Sequence, residues 1–97
     1  MWHWIVTDIP ATVTSLPEGS GSQAGAGVGG RDLVNDLGST GYAGGAPPEG
    51  DHPHRYLMTV HAVSVPELPV PEGASAAVAT FILGAHTIGR AHTTLLF

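Results

Sequence analysis

Apolar and polar positions change their period several times along the chain. Residues 2–9, WHWIVTDI, are mostly aromatic or β-branched, and a period of two puts His3, Ile5, Thr7 and Ile9 on one face. This predicts a strand, closed by Pro10. Residues 17–31, PEGSGSQAGAGVGGR, have no hydrophobic period and predict a loop with high backbone freedom. The next stretch, DLVNDLG, predicts one helical turn ended by Gly38, and residues 39–53 are dense enough in turn formers to predict a shaped loop. A second strand is predicted over residues 54–63, HRYLMTVHAV, before Pro66, Pro69 and Pro71 interrupt the chain. Residues 72–83 have Ala-rich helical character, with Ser75 as N-cap, Ala76, Ala79 and Leu83 on one stripe, and Gly84 as terminator. The tail HTTLLF returns to strand type, and no internal repeat is visible.

Composition narrows what such a chain can do. Ninety-seven residues, 42% hydrophobic and 11% charged, with 14 Gly and 8 Pro, make one small, loop-rich domain. A chain of this length buries only about two-thirds of its unfolded surface, so its core is thin. The absence of cysteine rules out a disulfide framework, a thiolate metal site and a cysteine nucleophile, and fits a reducing compartment; a cytoplasmic location is the expectation. A net charge of -5, with Arg31, Arg55 and Arg90 as the fixed cations, argues against binding a nucleic-acid backbone. The longest apolar run, around Phe81 to Ala85, is too short for a membrane span, and Met1-Trp2-His3 lacks the basic start of a signal peptide.

Several local patterns suggest chemistry. Gly25, Gly27 and Gly30 form a literal G-x-G-x-x-G, but no hydrophobic strand precedes it, so a plain loop is the better reading. His52 and His54, with Glu49 and Asp51 nearby, could offer two imidazoles to a metal; no third ligand stands at a recognisable spacing, and no metal or other cofactor is expected. Ser39 and Thr40 lie near Asp36, yet no G-x-S-x-G elbow supports a hydrolase. The remaining pattern is the most suggestive. His54 and Tyr56 are two apart on a predicted strand and share a face, and GYAGGAPP just before them supplies bare glycine backbone and stiff prolines. With His3 facing the same space, the donors would converge on a small anion such as a phosphate or carboxylate. Spacing alone leaves open that these are ordinary strand residues.

A resemblance goes further. WHWIVTDIP, NDLGSTGYAGGAPPEGDHPHRY and EGASAAVATFILGAHTIGRAHTTLLF together look like the phosphatidylethanolamine-binding protein family, in its bacterial Raf-kinase-inhibitor-like branch. The likeness runs over nearly the whole chain, and the combination of W-H-W, G-Y-x-G with paired prolines, and H-R-Y is specific. It implies a mainly β fold, an antiparallel β-sandwich with one short helix near the C-terminus. It also implies an anion pocket at His3, Gly44, Ala46, Pro47, His54 and Tyr56, in a module that binds without catalysis. Two departures from the family pattern are small: Gly44-Gly45-Ala46 replaces a G-P or G-x-G step, and GDHPHRY carries one extra residue. The third is larger. Relatives carry a D-P-D-x-P motif upstream, whose first aspartate lines the pocket, and this chain has no D-P-D.

Met1 therefore reads as an internal start, and residues 1–97 as the C-terminal part of the family domain, lacking its N-terminal strands. Three expectations follow. The Trp2 to Ile9 strand would present an unpaired edge, and apolar surface around Trp2, Trp4 and Phe81 would lose cover, which aggregation or a homodimer would hide. The pocket histidines would lose an acceptor that orients their rings, and affinity would fall. The leading function is a binding module for a small anionic group (phosphate, phospholipid head group or carboxylate), with a surface that regulates a kinase or protease as eukaryotic relatives do. The alternatives are a hydrolase-type enzyme using a pocket histidine, and an inactive gene remnant.

Overall fold

A computed structural model describes residues 2–43 and 55–96. Four strands and one helix follow in chain order: β1 (Val6–Thr7), β2 (Arg31–Asp32), β3 (Arg55–Val63), α1 (Ala76–His86) and β4 (Thr87–Leu96). Among the described residues they make two antiparallel two-stranded ladders, β1 with β2 and β3 with β4. The fold is mainly β with one helix, as the sequence implied.

The first strand is shorter than its pattern predicts. Asp8 has φ of 60°, a left-handed value that non-glycine residues rarely adopt, and it ends the extended run after Thr7. Ile9 therefore lies outside the strand, although its hydrophobic alternation continues. Before Val6 the chain is still hydrogen-bonded: Leu33 N donates to Ile5 O (3.0 Å), Asp36 N to Trp2 O (2.9 Å) and Ala43 N to His3 O (2.9 Å). Part of this segment is thus held by residues 31–36 and by Ala43, while β1 has β2 as its one strand neighbour among the described residues, so its other edge has no strand partner there.

The glycine-rich loop is folded rather than free. It forms two short 3-10 turns, Ser20–Ser22 and Ala24–Gly27, and Ala26 is fully buried. A Cβ on Gly25 would stand 2.2 Å from the carbonyl oxygen of Gly30, and φ there is +57°, so only glycine fits. Gly25 N donates to Asp32 Oδ2 at 2.9 Å. The G-x-G-x-x-G glycines thus serve chain packing, and one of their amides is taken by a carboxylate of the protein itself.

DLVNDLG does not form a helical turn. Its first residue belongs to β2, Val34 bridges to Thr40, and the buried Asn35 side chain organises the bend between them. Asn35 Oδ1 accepts from Leu37 N (2.9 Å) and Ser39 N (3.2 Å), while Nδ2 donates to Ser39 Oγ (3.1 Å) and Gly41 O (3.0 Å). Asparagine can mimic a backbone turn in this way, which competes with helix.

Ser75 caps α1 as predicted, its hydroxyl accepting from Val78 N at 3.3 Å. The helix buries Ala76 and Ala79, and Ala79 packs with Leu33, Leu68 and Val70 in the core. It runs through Gly84 to His86, and β4 starts at the next residue. Termination at Gly84 is unnecessary because the last carbonyls find other donors: Thr87 Oγ1 donates to Leu83 O (2.6 Å) and Ser64 N to His86 O (2.9 Å). The β3–β4 ladder spans nine residues of β3, from Arg55 opposite Leu96 to Val63 opposite Thr87, with a bulge near Ala62 and Val63. The ribbon is poorly covered, with Leu57 and Val60 each 68% exposed.

Candidate functional site

Two of the six predicted pocket residues lie among the described residues, and they meet. His3 comes from the segment before β1 and Tyr56 from the start of β3; their rings pack edge to face with centroids 5.2 Å apart at 66°. Each ring is half-buried, so an imidazole and a phenol share one partly sheltered space. Gly44, Ala46, Pro47 and His54 lie outside the described residues, as does the His52/His54 pair considered for metal. No group of three or more His, Asp or Glu side chains suited to a metal occurs among the described residues.

The ring of His3 is oriented by backbone. Its Nδ1 stands 2.7 Å from the carbonyl oxygen of Ala43, an acceptor only, so the proton sits on Nδ1 and the lone pair on Nε2. Neutral His3 thus offers a lone pair at Nε2, fit to accept a proton from a ligand hydroxyl; the imidazolium offers a donor. The expected loss of a ring acceptor is met in part, since the Ala43 carbonyl supplies one.

Surroundings matter as much as the pair. Trp4 packs edge to face on Tyr42, centroids 6.4 Å apart, and so anchors the G-Y stem of the predicted loop beside the W-x-W segment. Asn35 reaches the same stem through Gly41 O. Sequence reasoning missed Asn35, whose signal was available as an N-D-x-G stretch of turn type. As expected, Phe81 is 81% exposed and Trp2 is exposed, whereas Trp4 is half-buried.

The sequence model of the family described as "Phosphatidylethanolamine-binding protein" matches residues 1–97. The chain belongs to this family. It is 42% identical to YbhB of Escherichia coli over 97 residues, covering 99% of this chain and 61% of YbhB. With YbcL of the same organism it shares 40% identity over 98 residues, covering 99% of this chain and 54% of that protein. The crystal structure of E. coli YbcL, described as a new member of the mammalian PEBP family, superposes with a TM-score of 0.87 at 39% identity, over 99% of this chain and 60% of YbcL. The chain therefore spans little more than half the length of these relatives. No described helix is long and apolar enough to cross a membrane.

Proposed function

We propose that the chain is a non-catalytic binding module for a small anionic group, a phosphate or phosphate-bearing head group, held at His3 and Tyr56 with Gly44, Ala46, Pro47 and His54 completing the pocket. The observation that carries this reading is the His3–Tyr56 contact, which brings together two residues far apart in the chain. An imidazole with Nδ1 committed to a carbonyl and a neighbouring phenol hydroxyl suit a hydrogen phosphate, which can both give a proton to Nε2 and accept from a hydroxyl. Family membership supports binding as the general role. No paired nucleophile and base stands at this pair, which favours binding over turnover. Regulation of a kinase or protease would be secondary to occupancy of this pocket.

The test is titration of the chain with inorganic phosphate and with phosphoethanolamine, following the histidine ring signals by NMR. Saturable binding that shifts His3, is abolished by His3→Ala and is weakened about fivefold by Tyr56→Phe, the loss of about one hydrogen bond, is the expected result. Absence of saturation, or equal binding by both variants, overturns the proposal.

A further inference from the structure

A further cleft, whose lining includes neither His3 nor Tyr56, lies between the ribbon and the helix. It has a volume of about 490 Å³, and its lining includes Trp2, His61, Leu83, Gly84, Ile88 and Arg90. Its polar and apolar parts are separate in kind: Trp2, Leu83 and Ile88 are hydrocarbon or indole surface, while His61 and Arg90 stand directly opposite each other in the β3–β4 register.

Arg90 is unusual in this chain. The protein carries eight carboxylates against three arginines, and Arg31 is engaged, donating from Nη1 to Val70 O at 2.8 Å. Arg90 makes no hydrogen bond or ion pair among the described residues, despite the acidic excess. Its guanidinium presents five donors in a fork that matches a carboxylate. Beside it, His61 Nδ1 lies 3.3 Å from Thr87 Oγ1. The Thr87 hydroxyl proton is committed to Leu83 O, so Thr87 Oγ1 accepts from His61 Nδ1–H. Neutral His61 therefore turns an acceptor, Nε2, outward, and becomes a second anion donor only as the imidazolium. Arg90 is the other charged group lining the cleft.

We infer that this cleft is a second binding site, for an amphiphilic carboxylate whose head is held by Arg90, opposite His61, and whose hydrocarbon body lies along Trp2, Leu83 and Ile88. Charge complementarity selects the head, and the apolar wall selects a tail that free phosphate lacks.

Octanoate is the probe, titrated into the intact chain by calorimetry and by tryptophan fluorescence, with octanol and inorganic phosphate as tail-only and head-only controls. One-to-one saturation by octanoate is expected, with both controls at least about tenfold weaker. Arg90→Gln, at an exposed position, should weaken octanoate about tenfold. Gly84→Leu gives a variant that does not depend on charge. A Cβ at Gly84 meets nothing within 4 Å, so the side chain can start from this lining position, and leucine raises helix propensity; by occupying cleft space it should lower octanoate affinity about tenfold or more. Failure to saturate, or binding that survives both Arg90→Gln and Gly84→Leu, overturns the inference. So does loss of octanoate binding in His3→Ala with Arg90→Gln unaffected, which would place the carboxylate in the first pocket.

Discussion

Residues 20–43 and the β3–β4 ribbon hold their backbones by opposite means. The first region has little regular structure, yet its turns are fixed by side chains that bond to backbone and by glycines pressed against neighbouring chain. The ribbon has the longest ladder in the described structure, yet Leu57, Met58, Val60 and Ile88 are exposed along it. Regularity and burial are thus divided between the two. Backbone hydrogen bonds that exchange with water contribute modestly, whereas buried polar groups and close packing are costly to disturb. Stability against mutation should therefore be concentrated in the irregular region.

The sharpest test of that contrast is Gly25→Ala. The added Cβ would meet the Gly30 carbonyl at 2.2 Å in left-handed backbone, and a loss of about 3 kcal/mol or more is expected in urea unfolding followed by tryptophan fluorescence. Gly29→Ala serves as its control: φ is +84° with open space around the Cβ, so only the backbone penalty of about 1 kcal/mol should appear. Equal losses in the two variants would show that packing at Gly25 contributes little. Next comes Asn35→Ala, which strips the side-chain hydrogen bonds of Asn35 from a buried bend and should cost about 2 kcal/mol. Its far-UV circular dichroism should remain close to that of the parent, because the ribbon and α1 are untouched. The smallest effect belongs to Val60→Thr, which should change stability by less than about 0.5 kcal/mol, since this ribbon side chain is 68% exposed. A large loss there would mean that the ribbon face is covered in solution, and would break the comparison.

What the sequence revealed follows the same division. The ribbon strands and the helix were legible because period and composition act locally: β-branched residues in 54–63, alanines after Ser75. The ends of these elements were not, because they depend on distant partners. Helix α1 passes Gly84 because Thr87 and Ser64 satisfy its last carbonyls, and β1 stops early because Asp8 turns left-handed while its carboxylate accepts from Leu68 N at 2.8 Å. Glycine-rich residues 17–31 looked free since nothing in their pattern tells of Asp32 closing the loop from outside. At the site, shared strand faces could only suggest convergence; family resemblance chose the pocket, and two of its six members, His3 and Tyr56, lie in ring contact. Arg90 was read only as one of three fixed cations, because a sequence does not tell which cations are paired.

The hydrogen bond from His3 to Ala43 has a further consequence. Ala43 is the residue immediately before Gly44, the first loop residue of the predicted pocket. One proton thus joins the ring that would sense a ligand to the stem of the segment that would enclose it. Moving that stem away removes the reason for Nδ1 to keep its hydrogen, and the imidazole is then free to exchange tautomers and reverse which nitrogen meets the pocket. The ring is therefore a built-in gauge of where Ala43 stands, readable from its two nitrogen resonances without any added label.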